Sequence, residues 1–164
     1  MKKWNQRCIA LLLTGSLGLI GSTALASPVI SELFYDAPGS DAGLVFVELF
    51  GTPGDSLDGL LLEAINGSGG TVYKTISLSG AFPLDGVFVI GDENGGSTQV
   101  AGADFIADVD FQNGPDSVVL RDAVAVLDAV AYGSFDAGDV FAGEGTAAPA
   151  AAAGASIARF NPWV

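Results

Sequence analysis

Carboxylates are the side chains in this 164-residue sequence numerous enough to do chemistry: 19 Asp and Glu stand against 6 Lys and Arg, and there is no His. The absence of His excludes the Ser-His-Asp and Cys-His nucleophile systems and every imidazole metal site. Carboxylates alone can bind hard cations or exchange protons in pairs. Three oxygen-rich runs fit the first use: Asp36 to Asp41, Gly91-Asp-Glu-Asn94, and Asp104 to Asp110. Asp92, Glu93, Asp104, Asp108 and Asp110 are the candidate calcium ligands among them. None of the runs has the D-x-[DN]-x-[DN]-G spacing with a distal Glu, so a solvated acidic surface is the competing reading. Glu32 and Glu48 fit the second use, as a carboxylate pair for acid/base work or a cation. Their structural alternative is a solvated sheet face, with Glu48 accepting hydrogen bonds from loop amides.

The remaining nucleophiles are Ser, Thr and Lys74, and none lies in a G-x-S-x-G or S-x-x-K context. Gly67-Ser-Gly-Gly70 and Gly95-Gly-Ser97 share glycine content with phosphate loops, but they lack the Lys and the following helix. Both fall between apolar runs, where hairpin turns account for them. Tyr35, Tyr73 and Tyr132 are expected to be half-buried sheet residues. No catalytic residue is assigned, and the chain is expected not to be an enzyme. No cofactor is expected, with calcium the alternative. From residue 27 onward the charge balance is 3 − 19 = −16, with Lys74, Arg121 and Arg159 as the whole cationic supply. Phosphate contacts need clustered Lys and Arg, so nucleic acid is not expected as a partner.

The elements that must position these groups are short strands. The first 26 residues read as a secretory signal peptide: Lys2, Lys3 and Arg7, then an apolar stretch, then Ala24-Leu-Ala26 before Ser27. The stretch is interrupted by Gly and Ser and is shorter than the roughly 20 apolar residues a membrane span needs. No transmembrane segment is expected once the leader is removed, and the location is secreted or periplasmic. The only cysteine, Cys8, lies in the leader, so the mature chain would hold itself together without disulfides. Beyond it, turn pairs such as Pro53-Gly54, Asp58-Gly59, Asn66-Gly67, Asp85-Gly86 and Asn113-Gly114 punctuate β-branched and aromatic runs. Strands are predicted at 29–35, 45–50, 57–64, 71–78, 87–91, 117–121 and 125–132, with a weaker one near 104–109. Val45, Val47 and Leu49 share one face, and Phe46 and Glu48 the other. Ala125, Leu127, Ala129 and Ala131 likewise oppose Val126, Asp128 and Val130. This is the pattern of an all-β sandwich or barrel. The domain plan is a leader at 1–26, a sandwich at 27–142, an Ala/Gly-rich loop or linker at 143–154, and an edge strand with a C-terminal tail at 155–164.

The order of the segments resembles the lamin-tail domain family. Val29-Ile-Ser-Glu-Leu-Phe-Tyr-Asp36, Val45-Phe-Val-Glu-Leu49 and Ser56-Leu-Asp-Gly-Leu-Leu-Leu62 are similar to the family's opening strands. Gly86-Val-Phe-Val-Ile90, Asn113-Gly-Pro-Asp-Ser-Val-Val-Leu-Arg-Asp122, Leu127-Asp-Ala-Val-Ala-Tyr-Gly133 and Gly154-Ala-Ser-Ile-Ala-Arg159 resemble its later segments. The likeness spans residues 29–159. It departs at Leu60 or Leu61, where the family usually has a core Trp, at Val45, where it commonly has an acidic residue, and at Phe50-Gly51. The resemblance implies an immunoglobulin-like β-sandwich of the bacterial exported type. It also implies a non-catalytic module for protein, polymer or surface interaction. A calcium-dependent adhesion or matrix module, and an accessory component of an extracellular hydrolase or nuclease, are the alternatives.

Overall fold

A computed structural model describes residues 27–160. The leader expected at 1–26 and the terminal Trp163 lie outside the described residues. Among the described residues nine strands form two sheets: β1 (Val29–Phe34), β2 (Phe46–Phe50), β3 (Leu61–Asn66), β4 (Val72–Ser77), β5 (Val87–Asp92), β6 (Phe105–Ala107), β7 (Asp116–Arg121), β8 (Val126–Tyr132) and β9 (Ile157–Ala158). One sheet runs β6-β5-β2-β1-β9 and the other β4-β3-β7-β8. Every pairing is antiparallel except β5 with β6. No helix long and apolar enough to cross a membrane occurs among the described residues.

The alternation in β2 decides which side of its sheet is dry. Val45, Val47 and Leu49 are buried, whereas Phe46 and Glu48 stay half-exposed. Leu33 pairs with Val47 and Ile90 with Val47, which continues the dry face across three strands. From the other sheet Leu62 and Ala64 lie beside Leu120 and Val118. All four are fully buried. Each of the Leu and Val side chains so enclosed contributes about 1.5–3 kcal/mol of apolar burial. The core is therefore a layer of branched side chains, with Tyr35 and Tyr132 stacked at 4.3 Å.

The third strand starts later than its apolar run. The prediction over 57–64 is corrected to Leu61–Asn66. Asp58-Gly59 acts as a turn instead: Gly59 has φ +85°, and the Leu60 N–H reaches back to the Leu57 carbonyl at 3.1 Å. Leu57 is buried all the same, which is why the run reads as continuous strand. The two glycine-rich loops are turns. At β3–β4 the Asn66 N–H donates to the Thr71 carbonyl at 2.9 Å, and Asn94 and Ser97 bridge across Gly95-Gly96.

The outer face of the β7–β8 sheet is closed by chain that follows β8. The Ala142 N–H donates to Ser117 Oγ at 3.2 Å, and a Cβ on Gly143 would sit 2.4 Å from that of Ala131. Further along, the Ala148 N–H donates to the Ala131 carbonyl at 2.8 Å, and the Gly133 N–H donates to the Ala148 carbonyl at 3.0 Å. The Ala/Gly-rich stretch thus covers the free edge of β8. It continues to Ala151, whose N–H donates to Tyr35 Oη at 2.7 Å, and Gly154, whose N–H donates to the Asp36 carbonyl at 2.7 Å.

Candidate functional site

Asp92, Glu93, Asp108 and Asp110 follow the C-terminal ends of the parallel strands β5 and β6, whereas Asp104 stands at the other end of β6, and four of the five have local work. Asp92 ends β5 and is 2% exposed. Its Oδ2 accepts the Gly43 N–H at 2.7 Å and its Oδ1 the Val109 N–H at 3.1 Å. Both oxygens thereby replace water lost on burial, as a buried carboxylate requires. Glu93 is exposed and accepts the Gly96 N–H, fastening its own turn. Asp104 precedes β6 and accepts the Val89 N–H at 2.9 Å. Asp108 forms an ion pair with Lys74 Nζ. Asp110 is exposed, yet its carboxyl is pushed up from the usual value, first by partial desolvation and then by Asp41, Asp92 and Asp108, against the pull of Lys74. Among the described residues no group of three or more His, Cys, Asp or Glu is placed to hold a metal ion.

Glu32 and Glu48 are brought together. They are direct cross-strand partners between β1 and β2, on the outer face of the five-stranded sheet. Like charges directly opposite each other are unfavourable. Glu48 Oε1 also accepts the Ser31 hydroxyl at 2.7 Å, so part of its charge is answered by a side chain rather than a loop amide.

The three cations of the described residues are all engaged by acids. Lys74 on β4 reaches Asp108, just after β6 of the opposite sheet. Arg121 lies 3.7 Å from Glu63, its neighbour in the same sheet. Arg159, just after β9, meets Asp128 of β8, again across the sandwich. Two of the three therefore tie sheet to sheet, one along each open side.

Two buried carboxylates did not stand out in the sequence. Asp128 is 2% exposed, and its Oδ2 accepts the Ile30 N–H at 2.7 Å. Arg159 Nε donates to the Ile30 carbonyl at 2.9 Å, so the ion pair satisfies both polar groups of one core residue. Asp116 is 1% exposed and accepts the Tyr73 hydroxyl at 2.7 Å and the Gly67 N–H at 3.3 Å. Tyr132 donates to the Gln112 carbonyl at 2.7 Å, and the Gln112 N–H donates to Tyr73 Oη at 3.1 Å. Burial pushes the Tyr73, Tyr132 and Tyr35 hydroxyls and the Asp116 carboxyl above their ordinary values. The tyrosines therefore stay protonated and act as hydrogen-bonding posts. The sequence signal for Asp128 was its company: Val126 and Val130 two residues either side place it on an apolar face.

Two open concavities stand out among the described residues. A cleft of about 240 Å³ lies between β1/β9 and β8, with Glu32, Glu144, Thr146 and Arg159 among its lining. A shallower groove of about 450 Å³ runs between the edges of β4 and β6. In neither is a lining Ser or Thr hydroxyl hydrogen-bonded to a lining carboxylate. Every buried side-chain nitrogen and oxygen among the described residues has a hydrogen-bond partner. No family model matches the chain, and no curated protein matches it.

Proposed function

We propose that this chain is an exported, non-catalytic interaction module, an immunoglobulin-like β-sandwich of lamin-tail type that binds a protein or polymer outside the cytoplasm. The observation that carries the reading is the use made of its polar groups. Asp92, Asp116 and Asp128 are the buried carboxylates among the described residues, and each is occupied by backbone amides, a tyrosine or an arginine. What stays exposed is a strongly acidic surface around a rigid apolar core, a form suited to recognition rather than turnover. The resemblance over residues 29–159 supports the same reading.

The test uses the protein secreted by its own cells. Its N-terminus is expected at Ser27, and labelled protein is expected to co-sediment saturably with isolated envelope or extracellular polymer. Failure of unlabelled protein to compete, or no retention on either fraction, overturns the binding role. Turnover of phosphodiester, glycoside or peptide reporters by the purified chain overturns the non-catalytic part.

A further inference from the structure

We propose that the open edge of β4 (Val72–Ser77) is a docking site for an extended, Lys/Arg-bearing segment of a partner protein, which adds as a fifth strand to the four-stranded sheet. The inference rests on the interaction-module reading and names the surface and the partner chemistry.

The edges of the sandwich are not equivalent. The free edge of β8 is covered by the chain at 144–148, β9 is two residues long and β6 three. β4 is six residues long and pairs only with β3. The Leu78 N–H donates to the Leu60 carbonyl at 2.9 Å, which sets the phase of that ladder. Hydrogen-bonded and non-bonded pairs alternate along an antiparallel ladder. The Ile76–Leu62 and Lys74–Ala64 pairs are then bonded, and Thr75 and Ser77 turn their N–H and C=O groups outward. Both are exposed, and no backbone bond from them to any other described residue runs outward.

Proteins usually guard such an edge with a charge or a Pro. Here the one charge on β4, Lys74, is drawn across the sandwich to Asp108. The edge opens instead onto the groove shared with β6, where Phe105 and Ile106 supply apolar surface. The length and exposed backbone call for an extended chain, read through main-chain bonds with alternate side chains in the groove.

Charge selects the occupant. The groove ends in Asp108, and Asp110 lies close enough to Asp108 for the two carboxylates to repel each other, with Lys74 as the cation that answers both. Residues 27–164 of a second copy would bring another 3 − 19 = −16, so edge-to-edge self-pairing is opposed. A segment alternating basic and apolar residues meets both the backbone and the field.

The test uses a fluorescein-labelled Lys-Val alternating nonapeptide, its Glu-for-Lys counterpart and a version N-methylated at alternate positions. Thr75→Pro removes an outward N–H while leaving the β3 ladder bonds in place. Anisotropy at low salt is expected to show saturable binding of the Lys peptide that weakens as salt rises. Binding should be about tenfold or more weaker for T75P, for the Glu peptide and for the N-methylated peptide. If T75P fails to fold, the N-methylated peptide on the wild-type chain makes the same test from the ligand side. Equal binding by T75P, by the Glu peptide or by the N-methylated peptide overturns the proposal. So does a wild-type dimer that T75P makes monomeric, which would assign the edge to a second copy. Retention of both wild type and T75P on envelope or polymer, with no peptide binding, overturns the edge site alone. Loss of wild-type retention overturns the broader reading.

Discussion

Replacing Asp128 with Ala should be the most damaging single change to a polar residue, because it removes two supports at once. The Ile30 N–H, in a residue 1% exposed, loses the acceptor now 2.7 Å away. An orphaned buried amide costs about 1–3 kcal/mol. Arg159 loses its carboxylate. Breaking a fully buried ion pair costs about 3–5 kcal/mol, but the Arg159 side chain is 33% exposed and regains water, so its share falls below that range, to about 1 kcal/mol. Together about 3 kcal/mol is expected for D128A. With a urea slope of about 1.5 kcal/mol/M, the midpoint should drop by about 2 M with the slope unchanged. D128N keeps an acceptor for Ile30 and should fall between D128A and wild type. R159A should also destabilise, and the D128A/R159A double variant should cost less than the sum of the singles by about 1–2 kcal/mol. D128A within about 0.5 kcal/mol of wild type, or additive singles, would refute the clamp.

Four further outcomes follow from the same geometry. Y73F removes the hydroxyl that donates to Asp116 at 2.7 Å and should cost about 1.5–3 kcal/mol in urea unfolding. D92N should destabilise by a similar amount, about 1–3 kcal/mol, in chelator-treated buffer, because Asp92 accepts two amides. A loss seen only with calcium present would return that carboxylate to the metal reading. Asp110 titrates above its unfolded value of 3.8, so the folded state holds its proton longer and the ionised form is penalised. That penalty is absent below the unfolded value and complete once pH has risen through the folded one. D110N should therefore raise Tm at pH 7 and flatten the pH profile above pH 3.8, whereas an unchanged profile sinks the assignment. G143A would force a Cβ to 2.4 Å from that of Ala131, so the Ala142 and Ala148 amides should exchange hydrogen faster while the β2 amides hold.

The strands were legible where one face is wet. Val47 and Leu49 alternate with Phe46 and Glu48, and both the existence of β2 and its dry side follow from that. Legibility failed where burial reaches past the strand. Leu57 is core without being strand, so the apolar run hid the Asp58-Gly59 turn. Asp116 and Asp128 drew no site expectation from the sequence, although both are buried. Their amide, tyrosine and arginine partners stand 31 to 98 positions away, which no local pattern carries. The acidic runs were grouped by adjacency in sequence. In space their members are shared out: Asp92 to amides, Asp108 to Lys74, Glu93 to its own turn. The Glu32–Glu48 pairing likewise depends on the strand register, and that register contains a bulge between Ile30 and Glu32.

The clamp on Ile30 also sets a timetable. Its carboxylate comes from a residue 98 positions later and its guanidinium from one 129 positions later. A ribosome adds about 5–20 residues per second, so β1 waits roughly 6–26 s for its last fastening. Until then the N-terminal strands can pair locally but the two sheets cannot lock, and non-local closure of this kind is slow even in a complete chain. For the exported module proposed above, that delay would be an advantage: the chain stays threadable while it is being made and becomes rigid only when its far end has arrived.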